Sequence, residues 1–221
     1  MPSYKLTYFN FMGIAEPIRI LFHIAGVQFE DKRVPGPMGE GSKEWEKLKP
    51  NIGLGNLPVL EVDGKVLPQR PAILRYLARE HGFQPKSSWD IAQVDVVIAT
   101  TLDLETAMDK YFFSLYEEKD PEKKKTLIKE LTESCQEHLV KLGKLLKSNN
   151  EGTGWFVGDK ITIADMIAFC TLHDGIPTLV ETAVGDLSYM TNQEHLKAFV
   201  GRFKAEPKVS EWLDKRPKTQ F

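Results

Sequence analysis

Cysteine is nearly absent from this 221-residue chain: only Cys135 and Cys170 occur, and they form no Cys-x-x-Cys pair. Both fall inside helical patterns, which excludes a disulfide scaffold and dithiol redox chemistry and predicts a reduced, cytoplasmic setting. An excess of one charge is missing too. The 29 basic and 31 acidic residues are interspersed and leave a net charge of −2, so there is no basic field for nucleic acid. No apolar run approaches about 18 residues and no basic segment leads into an apolar one at the start, so neither a membrane span nor a signal peptide is expected. What remains is a chain long enough to bury a substantial core in one large or two small domains.

The most regular stretch runs from Asn56 to Arg79. Pro58 leads a strand over Val59 to Val62, Asp63-Gly64 makes a hairpin turn, and Val66-Leu67 returns. A helix then opens near Arg70, with Pro71 suited to its first turn and Ala72, Ile73, Tyr76 and Leu77 at helical spacing. A helix N-terminus beside a strand edge suits a carboxylate. Upstream, Tyr4 to Phe9 reads as a strand, Ala15 to Ala25 as a helix with Ile18, Leu21, Phe22 and Ile24 on one side, and Gln28 to Val34 as a second strand. That order predicts parallel strands joined by a right-handed crossover. Three glycines and two prolines in VPGPMGEGS rule out regular structure there, and a short helical turn over Lys43 to Lys49 follows. The order βαβ then ββα predicts an α/β, thioredoxin-like domain over residues 1–80, a mixed four-stranded sheet with helices packed on it.

Residues 81–88 read as a polar linker, and over 89–221 the patterns are helical throughout, predicting an all-α second domain. Two long helices run from Trp89 to about Tyr116 and from Pro121 to about Lys147; Leu127, Leu131, Cys135, Leu139 and Leu142 stripe the second. Thr162 to Asp165 is a capping box opening an almost wholly apolar helix through Leu172. Shorter helices are expected near Asn192 to Glu206 and Pro207 to Lys215.

The segments YKLTYFN, AEPIRILF, Leu57-Pro58 before VLEVDG, Gln69 to Leu77, GDKITIAD and WLDKRPKTQF span both domains in order. In them the chain resembles the cytosolic glutathione transferases, most of all the sigma class that includes prostaglandin D synthases and S-crystallins. The resemblance implies a homodimeric enzyme of detoxification. It would join the thiolate of glutathione to hydrophobic electrophiles, or act as a glutathione-dependent isomerase or peroxidase, with glutathione as co-substrate and no metal.

A free thiol of pKa ~8.5 is mostly protonated near neutrality, whereas the thiolate is the nucleophile. The resemblance makes Tyr8 the donor to the glutathione sulfur, favouring the anion; taken alone, Tyr8 is an ordinary strand aromatic. Pro58 resembles the family's cis-proline, with Leu57 as a backbone ligand of the cysteinyl part and Asn56 beside it in the glutathione-binding set. Trp45 and Lys49, both donors, resemble the pair that grips the glycyl carboxylate. Gln69 and Arg70 match the positions holding the γ-glutamyl end, and Asp103 matches the acid that reaches it from the partner subunit. Phe11, Met12 and Ile14 suit the apolar wall of a second-substrate site. Its shape turns on Tyr111, Phe112, Phe113 and Tyr116 of the first long helix and on Phe221.

Some positions depart from the family pattern. Arg70 stands where a serine is usual; it either pairs with the γ-glutamyl carboxylate, fills the pocket, or points into solvent without a role. Met12 and Ile14 stand where sigma-like members often carry arginines, which removes a cation from the neighbourhood of the thiolate. Ala99 and Leu102 stand where metal-stimulated prostaglandin synthases have acids. That pair disfavours the prostaglandin reading, while Arg70, Met12 and Ile14 favour an alternative: a non-catalytic ligand carrier, or a crystallin-type structural protein with weakened glutathione binding.

Overall fold

The structure is a computed structural model that describes residues 2–36, 41–175 and 193–219. Part of the 35–42 loop, the expected helix start at Asn192, Phe221 and the side chains of Phe112, Phe113 and Tyr116 lie outside the described residues. The chain divides into two compact units, Met1–Gly82 together with Glu206–Phe221, and Phe83–Ala205.

In the first unit, β1 (Tyr4–Phe9), β2 (Glu30–Val34), β3 (Val59–Val62) and β4 (Lys65–Pro68) form one sheet in the order β2-β1-β3-β4. β1 runs parallel to β2 and antiparallel to β3, and β3 to β4 is a hairpin, so the expected mixed four-stranded sheet is present. The hairpin closes on Asp63 and Gly64 at φ 49° and 79°, the doubly positive turn that matches strand twist. Three helices accompany the sheet: α1 (Glu16–Ala25), α2 (Ser42–Leu48) and α3 (Arg70–His81). Leu6 and Leu60 of the strands, Ile18, Leu21 and Phe22 of α1, and Ile73, Leu74 and Leu77 of α3 are wholly buried. Their apolar spacing in sequence is therefore the core of this unit.

In the second unit, α4 (Ser88–Glu117) and α5 (Pro121–Ser148) pack along one another, capped by Ser87 and Asp120. The α5 stripe of Leu131, Cys135, Leu139 and Leu142 is buried, with Leu127 half-buried. Tyr111 of α4 is buried. α6 (Ile163–Cys170) starts at the expected capping box and every one of its residues is buried. It stops short of Leu172, giving way to a π-helical turn over Thr171–Gly175 in which the Thr171 hydroxyl donates to Glu105 at 2.6 Å. α7 (Glu194–Ala205) closes the core through Phe199 and Phe203, the latter stacked on Phe169 at 4.5 Å.

The last helix, α8 (Pro207–Lys215), belongs to the sheet unit. Trp212 stacks on His23 of α1 at 4.1 Å and the Lys208 ammonium donates to the Ile24 carbonyl at 2.9 Å. The helical domain expected over 89–221 thus gives up its final helix, because the apolar side carrying Val209 and Trp212 is matched by α1. Amphipathic spacing specifies a buried face but does not name its partner. Among the described residues no helix is long and apolar enough to cross a membrane, and no group of three or more His, Cys, Asp or Glu is placed to hold a metal ion.

Candidate active site

Strand register decides which of the expected residues meet. Thr7 of β1 lies opposite Val59 of β3, and Val59 lies opposite Pro68 of β4. One step further along, Tyr8, Pro58 and Gln69 come to the same end of three adjacent strands. Tyr8 is buried, and its hydroxyl oxygen accepts the Ile14 N–H at 3.3 Å. A hydrogen bond into that oxygen favours the anion of the phenol and strengthens its O–H as a donor. Gly13 permits the approach: a Cβ there would stand 2.6 Å from the Tyr8 hydroxyl oxygen, on a backbone with φ of +44°.

The loop after β1 is an aromatic corner. Phe11 meets Tyr8 edge-on at 5.5 Å and stacks on Phe9 at 5.4 Å, while Trp45 of α2 meets Phe9 edge-on at 4.9 Å. Trp45 is buried, Phe11 and Met12 are half-buried, and Ile14 is exposed. Lys49 is exposed, in a short turn over Lys49–Asn51, and its aliphatic stem passes Gly55, where a Cβ would lie 3.6 Å from Lys49 Cγ. Asn56 next to it is exposed, Leu57 is half-buried, Pro58 is buried, and the Leu57–Pro58 peptide bond is cis.

Gln69 is exposed with φ 74° and ψ 109°, a conformation costing a side-chain-bearing residue ~1–3 kcal/mol and one that gathers at ligand clamps. Arg70, at the start of α3, is 6% exposed, so the solvent-pointing alternative falls away. No acidic residue occupies the first turn of α3, which leaves the positive end of its dipole open to an anion. Asp103 is exposed on α4 in the second unit, at the end of an exposed stripe of Trp89, Ala92, Val96 and Ala99.

A buried ionic network behind Tyr8 escaped the sequence reading. Arg19 of α1 is wholly buried, and its Nε donates to both Asp31 carboxylate oxygens at 3.2 Å. Its Nη1 donates to Glu16 Oε2 at 3.0 Å and to the carbonyls of Phe11 and Met12 at 3.2 and 3.1 Å. The guanidinium carbon stands 5.8 Å from the centre of the Tyr8 ring. Glu16 Oε1 in turn accepts the Trp212 indole N–H at 2.8 Å and Arg216 Nη1 at 3.0 Å, and Asp31 accepts Arg33 Nε at 2.9 Å. The available signal was the pair of opposite charges three residues apart within the apolar pattern of α1.

Residues 4–79 match the family model of the glutathione S-transferase N-terminal domain, and residues 105–216 that of the glutathione S-transferase C-terminal domain. S-crystallin 4 of Enteroctopus dofleini is 35% identical, and the match covers 100% of both chains. Hematopoietic prostaglandin D synthase of Gallus gallus is 36% identical over 99% of each. Among solved structures, the glutathione S-transferase from Ascaris lumbricoides aligns with a TM-score of 0.83 at 34% identity, covering 100% of both chains.

Proposed function

Because the chain belongs to the glutathione S-transferase family, we propose that it is a cytoplasmic, sigma-class-like transferase that joins the glutathione thiolate to hydrophobic electrophiles, as in detoxification. The same site serves a glutathione-dependent isomerisation or peroxide reduction. The observation that carries this function is the convergence of Tyr8, Pro58 and Gln69 at one end of adjacent strands, with Tyr8 accepting from Ile14. The Tyr8 hydroxyl donates to the sulfur and holds it as thiolate. The backbone of Leu57 pairs with the cysteinyl part, beside Asn56. Trp45 and Lys49 take the glycyl carboxylate, and Gln69, Arg70 and the N-terminus of α3 take the γ-glutamyl carboxylate. Phe11, Met12 and Ile14 face the apolar electrophile.

The active form in this proposal is a homodimer. Support comes from α4, whose exposed Trp89, Ala92, Val96 and Ala99 recur at alternating three- and four-residue steps, a seam suited to a second copy. Asp103 continues that seam and acts from the partner subunit on the γ-glutamyl ammonium.

A second function, a crystallin-type or carrier protein that binds glutathione weakly, is favoured by the buried Arg70 at the start of α3 and by the similarity to S-crystallin 4. Two measurements separate them. Retention on immobilised glutathione is expected, and the thiolate absorbance of bound glutathione should titrate below the free value of ~8.5, returning toward it in Tyr8→Phe. Binding with an unshifted thiol selects the carrier. Failure to bind, cured by Arg70→Ser, identifies a blocked site and the structural role.

A further inference from the structure

Met12 and Ile14 remove a cation that the resemblance places near the thiolate, yet the structure has a cation beside the Tyr8 ring. Arg19 is wholly buried, its guanidinium carbon is 5.8 Å from the Tyr8 ring centre, and its Nη2 has no hydrogen-bond partner among the described residues. Arg19 also holds the carbonyls of Phe11 and Met12. In sequence these two residues lie between Tyr8 and Ile14, whose N–H donates to the Tyr8 hydroxyl. One guanidinium therefore fixes the loop that supplies the hydroxyl with its donor and sets a positive charge beside the ring.

We propose that Arg19 is a positioning residue for Tyr8, and that α8 holds it in place through Glu16. The charge beside the ring favours negative charge on the Tyr8 oxygen and on any sulfur hydrogen-bonded to it, the service that arginines at the positions of Met12 and Ile14 would otherwise give. Glu16 on the same helix and Asp31 on β2 temper the Arg19 charge. Arg33, cross-strand from Tyr8, is held by Asp31, and Arg216, after α8, is held by Glu16. The role in catalysis rests on the assignment of Tyr8 above, but the coupling of Arg19 to Tyr8 does not.

The test compares Arg19→Met, Arg19→Lys and Asp31→Asn with wild type. The first readout is the tyrosinate titration of Tyr8, taken as the difference between each protein and its Tyr8→Phe counterpart without glutathione. Arg19→Met is expected to raise the midpoint by about 1 unit, the low end of the effect of a nearby opposite charge. Arg19→Lys recovers part of that shift. Asp31→Asn, at a position 21% exposed, leaves the Arg19 charge less tempered and moves the midpoint down. Opposite signs are not what loosening a loop gives. If Arg19→Met fails to fold, the downward shift in Asp31→Asn carries the test. An unmoved midpoint in Asp31→Asn, or upward shifts in both neutral variants, overturns the proposal. The second readout is the thiolate titration of bound glutathione, which should follow Tyr8. If Tyr8 responds as expected while wild type leaves glutathione unbound or unshifted, the Arg19 coupling stands and the transferase function falls.

Discussion

The indole N–H of Trp212 donates to Glu16 at 2.8 Å, although 196 residues separate them in the chain. Glu16 is 1% exposed, so its carboxylate depends on the Trp212, Arg216 and Arg19 donors in place of water. Trp212→Phe keeps an aromatic ring beside His23 and deletes one donor. A hydrogen bond to a charged group contributes ~1.5–3 kcal/mol, and a loss of about that size is expected. It should appear as a lower urea midpoint with an unchanged slope.

Gly13→Ala tests how closely the loop is fitted to the Tyr8 hydroxyl. A methyl group 2.6 Å from that oxygen forces a displacement, and misplacing a reacting group by ~1 Å can cost ~10²-fold in rate. The expected result is a fall in kcat/KM for glutathione conjugation of about that order. Gly64→Ala is the control, since its φ of +79° imposes the same kind of backbone penalty with nothing within 4 Å. It should lose stability and keep activity.

Asp165 gives a pH signature to the second unit. Its carboxylate is wholly buried and accepts the Phe156 N–H, the Thr162 N–H and the Thr162 hydroxyl at 2.8, 2.8 and 2.9 Å. Burial outweighs these bonds and pushes its pKa from 3.8 up to about 6. A folded state that holds the proton more tightly is stabilised by it below the unfolded pKa and loses that contribution as pH rises through the folded one. The stability of wild type relative to Asp165→Asn should therefore fall between about pH 4 and 6, by an amount on the order of 3 kcal/mol. Urea titrations of both proteins across that window give the comparison.

A charge on the α4 seam should separate the proposed subunits. Val96 is 43% exposed and Trp89 70% exposed, so Val96→Glu or Trp89→Glu removes no core contact from a single chain. Such surface changes usually alter intrinsic stability by less than ~0.5 kcal/mol. Sedimentation should show dimer for wild type and monomer for the variants, with weaker glutathione retention because Asp103 no longer reaches a partner. A wild-type monomer sinks the dimer proposal.

Much of this architecture was legible because local chemistry specifies it. The Asp63-Gly64 turn, the Pro71 helix start and the Thr162 to Asp165 capping box each combine a short-range pattern with a physical cause. Tyr8, Pro58 and Gln69 came from resemblance, and their meeting at one sheet end follows from register. The partner of α8 was not legible, since an apolar helix face does not say which neighbour covers it. The Arg19 network was missed because a charged pair in helical spacing reads as a solvated i,i+3 contact until its burial is known. The positive φ of Gln69 had no signal either, because neither glycine nor asparagine marks it.

The seat of α8 on α1 sets a timetable for synthesis. A chain leaving the ribosome presents Glu16 and the outer side of α1 long before Trp212 and Arg216 exist. At ~5–20 residues per second the delay is on the order of ten seconds or more. Throughout that interval the nascent sheet unit lacks this clasp, so a segment translated early is completed by one translated 196 residues later.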